Sequence, residues 1–210
     1  MAPEHALDSV RREAGYRTVA EVAALAPRVA VLDPGSTLVA GAVELGDGVV
    51  LYPGIVVSAR GSGSITIGAG TVLGPGPVTV IADGGRVSIG AGVVLGPGGV
   101  TIVARRGSVV EVADKARLHG GAFVEGPASF GAGAQLLGAV AVRDVVLEGG
   151  DDHAAPDPDA RGGVIKGTGR VHGARVGVGE VIGVGAGARP DTSEHVVDRQ
   201  RAHHPGDPMS

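Results

Sequence analysis

Residues Val87–Gly99 read VSIGAGVVLGPGG, and Ile65–Pro77 read ITIGAGTVLGPGP, nearly the same phrase twenty-two residues earlier. In each, a large aliphatic returns after six positions: Ile67 to Leu73, and Ile89 to Leu95. The step extends outward on both sides. Leu45, Leu51 and Val57 precede the pair; Val112, Leu118, Val124, Phe130, Leu136 and Val142 follow it. A helix brings apolar residues back at three and four positions, so a step of six does not fit one. It fits short strands joined by tight corners, each strand sending one large aliphatic inward. Gly46, Gly48, Gly68, Gly70, Gly90 and Gly92 take equivalent places, where a corner needs backbone freedom.

The composition agrees with a narrow interior. The chain has 210 residues, 39 of them glycine, with 43% hydrophobic but only 2% aromatic residues. Val, Ile, Leu and Ala must therefore fill a core that Phe, Tyr and Trp usually help to fill. The glycines lack a three-residue period, which excludes collagen. The apolar content excludes disorder. With no cysteine there is no disulfide, thiolate metal site or cysteine nucleophile. A formal charge of −4 gives a nucleic-acid partner no global electrostatic support. No apolar run reaches the roughly 20 residues of a membrane helix. The first seventeen residues lack the apolar core of a secretory signal, so the expectation is a cytoplasmic protein.

Residues 1–28 read as a small helical cap. Asp8 or Ser9 would cap a short helix through Arg11, Arg12 and Glu13. Thr18 and Glu21 have capping-box spacing, and Pro27 stops the run. At the far end, 191–210, Asp191 and Glu194 repeat the capping-box spacing before Val196 and Val197, which predicts a short helix and then a loose tail. Between them, 29–190 is the repeat region, interrupted by an inserted loop at 148–163.

The hexads LGDGVV at Leu45, IGAGTV at Ile67, IGAGVV at Ile89, VADKAR at Val112, VEGPAS at Val124 and IGVGAG at Ile182 share an aliphatic first residue, a small or acidic second and a small fifth. This pattern resembles the hexapeptide-repeat family and covers about 43–147 and 164–188. The resemblance implies an all-β fold: a single-stranded left-handed parallel β-helix, with short helical segments at its N- and C-termini. Extra residues at 59–64, 82–86 and 104–108 stretch the repeat to about twenty-two and read as exposed bulges on one edge of a triangular coil. They leave a right-handed β-helix as the alternative.

Function should sit where the repeat breaks. The largest break is EGGDDHAAPDPDARGG, Glu148 to Gly163, longer than the 12 to 15 residues at which a structureless loop is usually functional or disordered. Family resemblance implies an acyltransferase, a homotrimer with sites between subunits, moving an acyl group from a coenzyme A or carrier-protein thioester to a hydroxyl or amine of a small molecule or sugar. A histidine serves as base in many members. A neutral imidazole near pH 7 has the required basicity.

The candidate bases are His153 in the acidic loop, His119 in LHGGAF and His172 in VHGARV. His195, His203 and His204 read as tail residues without a role. Lys166, Arg170, Arg175 and Arg189, gathered in the last coils, are the candidate contacts for the donor, and a solvated basic face explains the same residues.

Two other classes stay open. A γ-carbonic-anhydrase-like metal site would need three clustered imidazoles, but the histidines near the coil are 34 and 19 residues apart and no close pair exists. Asp151, Asp152, Asp157 and Asp159 offer oxygen ligands for Ca²⁺ at irregular spacing. No metal is expected. The third class, a non-catalytic β-helix scaffold or binding module, is supported by the absence of any specific catalytic motif.

Overall fold

A computed structural model describes residues 3–185 and 197–203. Arg189, Asp191, Glu194, His195 and His204 lie outside the described residues.

The chain winds into a parallel β-solenoid with three faces. The first face stacks Ala30–Val31, Val50–Leu51, Val72–Leu73, Val94–Leu95, Arg117–His119, Gln135–Leu137, Val164–Gly167 and Glu180–Val184. The second stacks Leu38–Ala40, Val56–Arg60, Val78–Asp83 and Val100–Arg105; the third stacks Val43–Leu45, Ser64–Ile67, Arg86–Ile89 and Val109–Val112. The strands Ala122–Phe130 and Val140–Leu147 then run unbroken from the second face into the third and join the two into one sheet. Gly169–His172 ends the second face and Arg175–Val176 the third.

Each face carries an inward ladder in register. On the first, Leu51, Leu73, Leu95, Leu118, Leu136, Ile165 and Ile182 stack in order. On the second the ladder is Val57, Val80, Ile102, Val124, Val142 and Val171. On the third it is Leu45, Ile67, Ile89, Val112, Phe130, Leu147 and Val176. All of these are buried, and each fully buried Leu or Ile contributes about 1.5–3 kcal/mol relative to exposure. Strands of two or three residues have little stability alone. Their cohesion comes from stacking, in which each rung covers the open edge of the one before. The six-residue step thus marks the three faces, and every aliphatic it identified points inward.

The stretched repeats differ from expectation in one respect. Residues 59–60, 82–83 and 104–105 continue the strands of the second face, so only the turns after them are exposed corners. Ala59, Ala82 and Ala104 stack inward as an extra small-residue ladder. The longer second face, more than a bulged edge, accounts for the 22-residue interval from Val50 to Val72 and on to Val94. Once strand Ala122–Phe130 runs straight through, the interval from Arg117 to Gln135 is 18.

The N-terminal segment is helical. Helix α1 spans Pro3–Glu13 and α2 spans Val19–Ala23. The α2 capping box is present: Thr18 Oγ1 accepts from the Glu21 amide at 3.1 Å, and Glu21 accepts from the Thr18 amide at 2.7 Å. Asp8 and Ser9 lie inside α1 and do not cap it. Instead, Asp8 accepts the Val19 amide at 2.9 Å, at the start of α2. A carboxylate there meets an otherwise unpartnered helix donor. Arg11 is buried and donates to Pro34 O at 3.3 Å, while Leu7 and Val10 remain exposed. After α1, Arg17 N donates to Val39 O at 2.8 Å, so the chain covers the first edge of the second face.

At the other end, Val197–Arg199 forms a strand antiparallel to Glu180–Val184, and Gln200–His203 adds a 3₁₀ turn. The sequence predicts an α-helix entering Val197. The open edge of the last rung offers a row of backbone partners, and pairing with it outweighs local helix preference.

Candidate functional site

The inserted loop is ordered. Gly163 N donates to Glu148 O at 2.9 Å and closes its neck; Gly150 N donates to Ala132 O at 2.9 Å and fastens it to the neighbouring rung. Within it, Asp151 N donates to Ala160 O at 2.8 Å and Gly162 N to Asp151 O at 3.1 Å. Asp152 then makes a local turn. Its side chain accepts from Ala154 N at 2.8 Å, and its carbonyl accepts from Ala155 N at 3.0 Å. His153 sits within this turn. Arg161 reaches back across the loop and donates through Nε to Ala155 O at 2.8 Å.

The C-terminal turn buttresses the loop. Gln200, buried at 4% exposure, donates to Gly162 O at 2.8 Å and Glu180 O at 3.1 Å. Arg201 donates to Asp159 at 2.8 Å and Asp157 at 2.7 Å. Asp157 also caps the short 3₁₀ helix Pro158–Ala160. These carboxylates are engaged internally. Among the described residues, no group of three potential ligands is close enough to hold a metal.

Loop, C-terminal turn and first face enclose a cleft of about 250 Å³. The solenoid supplies Arg117, Gln135, Leu137 and Lys166 as outward residues on three consecutive rungs, with Val164 and Val181 beneath the cover. The loop supplies His153 and Arg161, and the turn supplies Gln200 and His203. His153 is exposed on the loop, and partial desolvation at the cleft lowers its imidazole below the ordinary value. The cations Arg117 and Arg161 depress it further, and Asp152 opposes them in part. His119, outward on the rung of Arg117 and half-buried, is lowered by burial first and then by Arg117. One guanidinium therefore disfavours protonation of two imidazoles.

The candidate residues are distributed unevenly. His153, Lys166 and the adjacent His119 belong to the first face. His172 and Arg170 lie on the second, with Phe123, Glu125 and Arg143, around a separate depression of about 510 Å³. Arg175 lies on the third and forms an ion pair with Glu148. The basic cluster read from sequence is thus spread over three faces, because each corner carries the chain onto a new one. His172 is thereby separated from His119 and His153.

Five polar cleft residues were not candidates from sequence: Arg117, Gln135, Arg161, Gln200 and His203. Arg117 had a signal in its outward position two residues before His119. Gln135 had one as a polar residue beside the inward Leu136. His203 had none, since its place depends on the unexpected strand before it. A larger depression of about 600 Å³ on the other side of the loop is lined by Asp114, Lys115, Asp151 and Asp152 and contains no histidine.

No protein-family model matches the chain, and no curated protein matches it significantly. Among the described residues, no helix is long and apolar enough to cross a membrane.

Proposed function

We propose that this chain is an acyltransferase that moves an acyl group from a coenzyme A or carrier-protein thioester to a hydroxyl or amine of a small molecule or sugar, with His153 as general base. The observation that carries the reading is an exposed histidine at the rim of a cleft that also presents Lys166, its imidazole shifted toward the neutral form by partial desolvation and by Arg117. The acceptor O–H or N–H gives its proton to the free imidazole nitrogen as the oxygen or nitrogen attacks the thioester carbonyl. The tetrahedral intermediate collapses with loss of the thiolate, which takes that proton back from the imidazolium and leaves as thiol. Lys166 and Arg117 supply positive potential along the path of an anionic substrate. The working form is a cytoplasmic homotrimer in which a neighbouring solenoid completes the cleft. Closed symmetry would let flat faces bearing Val and Ala pack together.

The test is thiol release from coenzyme A thioesters of several acyl lengths, with amine and hydroxyl acceptors. Acceptor-dependent release that is lost in His153→Ala, at unchanged melting temperature, supports the reading. No release from any donor favours a binding module without catalysis. One observation favours that second reading: among the described residues, no side-chain hydrogen bond orients the His153 ring.

A further inference from the structure

We infer that the cleft selects an acceptor bearing an oxyanion, carboxylate or phosphate, held between Arg117 and Lys166 with the Gln135 amide as third contact. This rests on placing the chemistry in the same cleft and names the substrate class it would take.

The register fixes the three groups. Arg117 pairs with Gln135 on the next rung, and Lys166 lies one rung further, opposite Leu137. Adjacent rungs are about 4.8 Å apart, so Gln135 lies within one strand spacing of both cationic rungs. Arg117 and Lys166 thus flank the Gln135 rung from either side, two residues apart along the strands, and all three line the same cleft. The charge balance points the same way. Neither Arg117 nor Lys166 makes an ion pair among the described residues. Among the described residues no carboxylate lines the cleft, although the chain carries 22 acidic and 18 basic residues. Arg161, the third cation, is already committed to Ala155 O. Uncompensated cations in a partly closed cleft leave electrostatic demand that a bound anion meets.

Gln135 gives the independent observation. Its side-chain amide makes no hydrogen bond within the described residues and is open to solvent, whereas the more buried Gln200 donates two. The amide lines the cleft and is free to donate to a ligand there. A volume of about 250 Å³ suits a small acceptor head group and is too small for a whole nucleotide thioester. The oxyanion therefore belongs to the acceptor.

The experiment titrates the full chain with inorganic phosphate in one arm and acetate in the other, following the Gln135 side-chain amide by NMR. Saturable shifts are expected in at least one arm. Phosphate alone identifies a phosphate ester as acceptor, and acetate alone a carboxylate. Arg117→Gln and Lys166→Gln should each weaken binding by about tenfold or more, as expected for loss of a charge-assisted hydrogen bond. Arg170→Gln, on the second face, should leave it unchanged. Failure to saturate in both arms, or equal binding by the Arg117 and Lys166 variants and the native chain, overturns the inference. Saturable binding without thiol release would remove the acyl-transfer reading and keep the anion site. Release that depends on His153 without anion binding would remove the anion site alone.

Discussion

Arg201 Nε donates to Asp159 Oδ2 at 2.8 Å, joining the C-terminal turn to the inserted loop across 42 residues of sequence. A second branch of the guanidinium reaches Asp157 at 2.7 Å. Through this contact, two segments outside the repeat hold each other over the first face, and His153 and His203 line the same cleft.

Exposed ion pairs contribute little to global stability, so Arg201→Ala should barely change the melting temperature. Its effect should be local. Hydrogen exchange at amides 151–162 should rise relative to the native chain, while amides of the strand Val94–Leu95 stay unchanged. Equal protection of the loop in both proteins would show that backbone contacts and Gln200 suffice to hold it.

The inward ladders give a second prediction. Leu118 is fully buried between Leu95 and Leu136. Leu118→Ala removes three carbons from a column that cannot collapse, because neighbouring rungs fix its spacing. A loss of about 3 kcal/mol in denaturant unfolding is expected. A loss under about 1 kcal/mol would mean that the rungs are not packed as described.

Gly133 links solenoid and site. Its φ is +68°, and a Cβ there would lie 2.3 Å from the carbonyl oxygen of Asp151. Gly133→Ala must displace either the corner or the loop base two residues before His153. It should destabilise by roughly 1–2 kcal/mol from backbone conformation alone and weaken the anion titration measured at Gln135. A variant as stable as the native chain would contradict the close approach.

The histidines give a pH dependence. Folding holds His119 and His153 below the ordinary value of 6.5, through burial first and Arg117 second. The unfolded chain therefore binds more protons in the window that starts near 6.5 and extends downward. The stability that neutral imidazoles permit is complete above that value and is lost as pH falls through the window. Melting temperature should drop less on acidification in His119→Asn/His153→Asn than in the native chain. Parallel curves would mean that neither imidazole is perturbed.

Sequence and structure agree most closely where the repeat is strict. Ile67, Leu73, Ile89 and Leu95 are legible as inward rungs because one residue must fill each face of a narrow coil, and the step of six follows from that geometry. Lys166, Arg170 and Arg175 show the limit. They are close in sequence, but two corners separate them, so they point from three different faces. Gln135 reads as an ordinary outward polar residue; the cleft it lines is completed by the inserted loop and by the 197–203 segment, whose pairing with Glu180–Val184 has no local signal. His203 was hidden for the same reason. His153 is visible as a candidate because its loop breaks the repeat, but the Arg117 charge that adds to partial desolvation in lowering its pKa comes from a rung 36 residues earlier.

The most direct test of the account compares kcat/KM for thiol release in His153→Asn and His172→Asn, with the native chain as reference. A base in the first-face cleft predicts a loss of about 10²- to 10⁴-fold for His153→Asn and near-native turnover for His172→Asn. Near-native turnover in His153→Asn, or an equal loss in both variants, would contradict it.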